Sequence, residues 1–137
     1  MSNQSGVTRI GALEAREGRV IENMAVTTLA TASAITFSAS AVLGGLILRD
    51  PAGAGRADLL PTAADIIASL NNPRTAAAFE FTIRNTADAA ETITVTTNTG
   101  LTLSGTMTIA QNNSKRFLAI VTSPTAVAVY SLGTIVH

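Results

Sequence analysis

Phe79-Glu-Phe-Thr-Ile-Arg-Asn85, Glu91-Thr-Ile-Thr-Val-Thr-Thr97, Leu101-Thr-Leu103, Thr106-Met-Thr-Ile109, Lys115-Arg-Phe-Leu-Ala-Ile-Val-Thr122 and Val127-Ala-Val-Tyr-Ser-Leu132 follow one another between Phe79 and Gly133. Each run is short, rich in β-branched residues and closed by turn formers: Asn85 to Ala90, Asn98-Thr99-Gly100, Ser104-Gly105, Gln111 to Ser114 and Ser123-Pro124. Such a series predicts strands joined by tight connections, an antiparallel meander or sandwich. Phe79, Phe81 and Ile83 alternate with Glu80, Thr82 and Arg84, and Ile93 and Val95 alternate with threonines. One face of each strand therefore seeks a core, and the other is rich in hydroxyls. Phe117, Ala119 and Val121 share one side of their run, while Leu118 and Ile120 share the other. A strand apolar on both faces is either central in a sandwich or wedged at a subunit contact, so Phe117, Ala119 and Val121 are candidates for core or self-association.

Working outward, the next segment toward the N-terminus is the helix expected near residues 62–70. Thr62 is placed to cap it, and Asp65 sits where a carboxylate complements the helix N-terminus. Asn71-Asn72-Pro73 stops it, and Ala63, Ile66, Ile67 and Leu70 make one apolar stripe. Arg49 to Asp58 reads as a loop through Asp50-Pro51 and Ala52-Gly-Ala-Gly55. A phosphate cradle does not fit these glycines, since no Gly-Lys-Thr or Gly-Lys-Ser follows and the third glycine of a dinucleotide fingerprint is missing. The expected role is a glycine-rich connection pinned by local Arg–Asp pairs.

From Met24 to Leu48 a period of two suggests strands, with Ile35, Phe37, Ala39 and Ala41 alternating with Thr36, Ser38 and Ser40. Gly44-Gly45 is expected to supply a bend or bulge before Leu46-Ile-Leu48, a strand apolar on both faces. The uncharged stretch from Glu22 to Arg49 approaches membrane-spanning length. Its evenly spread Thr and Ser argue against a spanning helix, and the mixed-charge segment before it does not suit a secretory signal. Met1 to Asn23 is polar and mixed in charge, and Ala12 to Glu17 has the composition for a turn or two of helix, too short to stand alone. Two readings stay open: a disordered terminus, or an arm that orders on a neighbouring copy or a shell through Ile10, Leu13, Val20 and Ile21. The domain organisation is thus an arm over 1–23 and a β-domain over 24–137.

The chain has 137 residues, of which 47% are hydrophobic, 4% aromatic and 13% charged. That length suits one core of modest size, but a core filled largely by Ala, Val and Thr gains less from burial than one filled by Leu and Phe. Association with other subunits is therefore expected to supply part of the stability. Nine basic and nine acidic residues give zero net charge, so no basic stripe is present for nucleic acid. The absence of cysteine excludes disulfides and thiolate chemistry.

Catalytic chemistry finds little footing. The one histidine, His137, completes a Ser/His/Asp set only if the tail folds back over the sheet. Glu80 and Glu91 are expected on polar faces as ordinary solvated acids, and no Asp-x-Asp or paired-histidine pattern suggests a metal. No enzyme activity and no cofactor is expected. Carbohydrate or receptor binding has Tyr130 as its one tyrosine platform, and the threonines between Thr92 and Thr108 offer hydroxyls, though Thr is also a favoured surface residue of strands.

Gly45-Leu-Ile-Leu-Arg-Asp-Pro51, Pro61-Thr-Ala63, Phe79-Glu-Phe-Thr-Ile-Arg-Asn-Thr86 and Leu101-Thr-Leu-Ser-Gly-Thr106 resemble small virion proteins of tailed bacteriophages, the capsid decoration or cement proteins. The resemblance spans roughly Gly44 to Gly133 and leaves the N-terminal arm uncovered. It implies an all-β, jelly-roll-like antiparallel sandwich with one short helix and an extended N-terminal arm, assembling as a homotrimer. It also implies a structural protein made in the host cytoplasm that binds the major capsid protein on the exterior of the virion and stabilises the capsid. Similar β-modules occur in head fibres and tail adhesins, the alternative reading, in which the partner is a host receptor or glycan.

Overall fold

The computed structural model describes residues 24–137 in full and, as backbone strands alone, residues 7–10, 13–16 and 19–22. These last are β1 (Val7–Ile10), β2 (Leu13–Arg16) and β3 (Arg19–Glu22), an antiparallel sheet in the order β1-β2-β3. Leu13–Arg16 is thus a strand where a helical turn was expected. Ile10 pairs in register with Leu13, Val20 with Ala15 and Ile21 with Glu14. Their side chains, the expected arm contacts, lie outside the described residues.

The remaining elements are β4 (Ala25–Ala30), α1 (Ala39–Gly44), β5 (Gly45–Asp50), β6 (Arg56–Leu59), α2 (Ala63–Ser69), β7 (Ala78–Asn85), β8 (Ile93–Thr96), β9 (Leu101–Ser104), β10 (Thr108–Ile109), β11 (Asn113–Ser123) and β12 (Ala126–Val136). A six-stranded sheet runs β4-β5-β7-β11-β12-β9, and a three-stranded sheet runs β10-β8-β6. The molecule is mainly β, and its sheets are mixed, not purely antiparallel: β4 with β5, β5 with β7, β9 with β12 and β6 with β8 are all parallel. The expected meander fails for a related reason. Successive strands alternate between sheets, with β7, β9 and β11 in the large sheet and β8 and β10 in the small one.

Parallel neighbours cannot be joined by a hairpin and need a crossover. Between β4 and β5 that crossover carries α1, which replaces the strand expected around Ile35 to Ala41. Ser38 accepts a hydrogen bond from the Ala41 amide at 3.1 Å and caps the helix. Gly45, at φ 100°, ends it in the left-handed region that glycine enters without penalty. Alternating Ala and Ser mimic a strand by period, but Ala is also the best helix former and Ser a favoured cap, so the caps decide. Gly45 is therefore a helix terminator rather than a bulge.

Helix α2 lies where the capping signals put it. Thr62 Oγ1 accepts from the Asp65 amide at 3.1 Å, and Asn71 and Asn72 follow with φ of 57° and 62°. Ala63 and Ile66 are buried, with Ile67 and Leu70 packed beside them.

One core joins both sheets and both helices. Ile47, Phe81, Ile83, Phe117, Ala119, Val121, Val127 and Val129 come from the large sheet, and Ile93, Val95 and Ile109 from the small one. Ala41, Val42, Ala63 and Ile66 come from the helices. Phe81 and Phe117 face each other in register across β7 and β11, their rings stacked at 5.0 Å between centroids. Phe117, Ala119 and Val121 are all buried on a strand flanked on both sides by β7 and β12, which makes them core.

Candidate functional site

Four places hold polar chemistry: Arg49 and Lys115 on the alternating rows of β5 and β11, Glu91 just before β8 and His137 just after β12. On β5, Ile47 and Arg49 share the core-facing row, so Arg49 enters the interior and is fully buried. Its Nε donates to Asp58 Oδ2 at 2.7 Å, and Nη2 reaches Oδ1 at 3.2 Å. Nη1 donates to the carbonyls of Thr31 and Asp50, and Nη2 also donates to that of Ser33. Asp58 Oδ1 accepts in addition from the Ile35 amide. Every lobe of the ion pair is occupied, so it staples residues 31–35 to β5 and β6 and leaves no group for a ligand. The expected Arg–Asp pinning of the glycine-rich loop thus exists, with Arg49 and Asp58 as its partners.

At the other end of that loop stands Glu91, which was expected to be solvated and is instead buried, at 6% exposure. Oε1 accepts from the Gly53 amide at 2.7 Å, while Oε2 has no protein partner. The Asn85 amide nitrogen donates to the Glu91 and Ile109 carbonyls, tying β7 to the small sheet. Arg56 faces the same loop but bonds the Pro51 carbonyl through Nε. Glu80 behaves differently: it sits half exposed on the outer side of the sheet and pairs with Arg116 at 3.0 Å.

Lys115 occupies the core-facing row of β11, opposite Ile83 and Thr134, and is buried. Its Nζ donates to the Thr106 carbonyl at 2.8 Å. Burial holds its pKa below the ordinary 10.5, because the charged ammonium loses hydration there. The alternation of Lys115 with Phe117 was visible in the sequence, but a lysine near the end of a strand is ordinarily read as reaching water.

The fourth place is the end of β12. His137 folds back: its amide donates to the Asn112 carbonyl at 2.8 Å, and its Nε2 meets Ser114 Oγ at 2.8 Å. A Ser–His pair exists, therefore, but Ser114 is buried, and no hydrogen bond links the imidazole to a carboxylate among the described residues. Without an orienting acid and an accessible hydroxyl, the pair lacks the arrangement that activates serine. Among the described residues no group of three or more His, Cys, Asp or Glu comes together, and no helix is long and apolar enough to cross a membrane.

An open cleft of about 500 Å³ lies between the start of α1 and α2, lined by Phe37, Ser38, Ser40, Pro61, Asp65 and Ser69. Ser38 and Ser40 bond each other at 3.1 Å, and Ser38 also caps α1, so these hydroxyls serve the local fold.

The outer face of the six-stranded sheet carries a set of half-buried apolar side chains. Leu46 and Leu48 on β5 are half buried there, beside Thr82 and Arg84 of β7. Leu118 stands between Glu80 and Tyr130, and Ile120 between Ala78 and Ala128. Tyr130 is 41% exposed and faces Ser104 on β9. Aliphatic patches thus flank the Glu80–Arg116 pair on a face that no described element covers.

Comparison with protein-family models, with curated proteins and with solved structures finds no match to this chain.

Proposed function

We propose that this chain is a capsid decoration, or cement, protein that binds the outside of a phage head and stabilises contacts between major capsid proteins. The observation that carries the reading is the outer face of the large sheet. It is wide and hydroxyl-bearing, and sets Leu46, Leu48, Leu118, Ile120 and Tyr130 around one exposed ion pair. Aliphatic and aromatic side chains gathered on one face, among hydroxyls and a single ion pair, have the make-up of a protein–protein interface. In this reading the protein acts by additive burial: each copy that binds only the closed shell raises the cost of opening it. Copies also associate with one another, as the homotrimer that the resemblance to phage cement proteins implies, and the arm residues Ile10, Leu13, Val20 and Ile21 contact the shell or a neighbouring copy. The two sheets form a sandwich of jelly-roll kind. The alternation of strands between them and their shared core support this, while the parallel pairs depart from the usual jelly-roll ladders.

Add-back tests the proposal directly. Purified protein mixed with heads stripped of their decoration is expected to bind in fixed stoichiometry and to raise the temperature at which DNA escapes. Heads that neither bind it nor gain resistance would overturn the reading. Tyr130, exposed between Leu118 and Ser104, favours a second reading as a receptor- or glycan-binding module. Block of host adsorption by the free protein, lost in Tyr130→Ala, would establish that one instead.

A further inference from the structure

Strand β12 is paired on one side with β11 along its length, but on the other side β9 accompanies it only from Val127 to Tyr130. Among the described residues, nothing pairs with Ser131–Val136 on the side away from β11. The direction of the unpaired groups follows from one hydrogen bond. His137 donates its amide to the Asn112 carbonyl, and in an antiparallel ladder the residues that exchange hydrogen bonds alternate with those that do not. Ile135, opposite Ser114, therefore turns its amide and carbonyl toward β11, whereas Thr134 and Val136 turn theirs outward.

Edges of this kind are normally blunted by charge or proline. From Ala126 to Val136 there is neither. Ile135 is 49% exposed and Val136 76% exposed, so the edge is apolar as well as open. Extended backbone matches outward amides and carbonyls in this spacing, so the protein partner this edge fits is a strand.

We propose that the occupant is the same edge of a second copy, paired antiparallel about a two-fold axis at Ile135. In that register Thr134 of each copy exchanges main-chain hydrogen bonds with Val136 of the other, about four bonds in all, and Ile135 meets its own counterpart. Self-pairing suits this segment because like residues meet without like charges, and the chain as a whole carries zero net charge, so two copies do not repel. The contact is smaller than the roughly 1,600 Å² of a standard stable interface, so it forms in proportion to concentration. It is independent of shell attachment and of the implied homotrimer, because an isologous two-fold contact closes at two copies. The elementary contact becomes two-fold, and a trimer would need a further interface.

Sedimentation of the full-length chain from about 1 to 500 µM is the test, with amide hydrogen exchange at both ends of the range. Monomer is expected to pass to dimer, and the Thr134 and Val136 amides to become protected as it does. Thr134→Pro removes an outward amide and leaves the β11 ladder intact, so it is expected to weaken dimerisation at least tenfold with an unchanged melting temperature. Val136→Lys, a charge on the same edge, is expected to do likewise should the proline disturb folding. A chain that stays monomeric at the highest concentration overturns the proposal. So does association unaffected by both variants, or protection of these amides in the monomer, which would mean that the chain's own residues cover the edge. Failure to bind phage heads bears on the proposed function and leaves these outcomes unaltered.

Discussion

Arg49 and Asp58 meet at 2.7 Å with neither side chain reaching solvent, the guanidinium also holding the carbonyls of Thr31, Ser33 and Asp50. Removing one member of such a pair strands the other in the interior, which costs about 3–5 kcal/mol, whereas replacing both with apolar residues of similar volume costs far less. Asp58→Leu and Arg49→Met are each expected to lose stability on that scale, and the two combined to recover much of it. Urea unfolding of the four proteins checks this. Additive losses would show that the two residues do not act as a unit.

Phe117 stacks on Phe81 at the centre of the large sheet. Phe117→Ala is expected to destabilise the fold by about 3–5 kcal/mol, the usual cost of such a cavity. The fraction that still folds should self-associate as the parent does, because the side chain lies inside the core. Unfolding curves and sedimentation of the same sample measure both.

Lys115 makes stability depend on alkaline pH in a direction that can be worked out. Its folded pKa lies below 10.5, the unfolded value. Between the two, the unfolded chain holds more protons than the folded one, so stability rises with pH across that window and is lowest, from this group, below it. Lys115→Met is expected to flatten this rise. Unfolding free energies of parent and variant, compared as the pH is raised toward 10.5, measure this difference. An identical slope in the two proteins would assign the rise to other groups.

Glu91 keeps one carboxylate oxygen on the Gly53 amide and leaves the other without a protein partner. Glu91→Gln retains the first contact and removes the buried charge, so it is expected to be at least as stable as the parent at pH 7. Glu91→Ala removes the hydrogen bond to the Gly53 amide, which lies in an exposed loop, and is expected to cost about 0.5–1.5 kcal/mol. Thermal melts rank the three, and a Gln variant weaker than the Ala variant would contradict this account.

The strands from Phe79 onward, helix α2 and the pinning of the glycine-rich loop were all legible in the chain, because each depends on local signals. Period two marks Phe81 and Ile83, Thr62 and the Asn71-Asn72 pair bracket a helix, and Arg49 and Asp58 flank the glycine run. Residues 49–50 and 56–58 nonetheless belong to β5 and β6, where the whole of Arg49 to Asp58 was expected to be loop. What could not be read was decided by distant partners. That β4 lies parallel to β5 forces a crossover and turns an apparent strand into α1. That β8 and β10 leave for a second sheet breaks the meander. Burial of Glu91 and Lys115 likewise depends on neighbours far along the chain, Gly53 for one and the Phe81 row for the other. The return of His137 onto Ser114 rests on the long β11–β12 hairpin. Of the surface features, the apolar outer positions Leu118 and Ile120 were visible from alternation, but the open stretch of β12 was not, since it exists only because β9 stops at Ser104.

Side-by-side strands that run in the same direction have a kinetic consequence. Segments far apart in sequence must find one another before any of their ladder bonds can form, and the entropy of closing those loops is spent before the reward arrives. This protein should accordingly refold in milliseconds to seconds, slower than a helical domain of its length. During that interval the β-branched segments lie unprotected, so its yield from a refolding reaction should fall as the protein is made more concentrated.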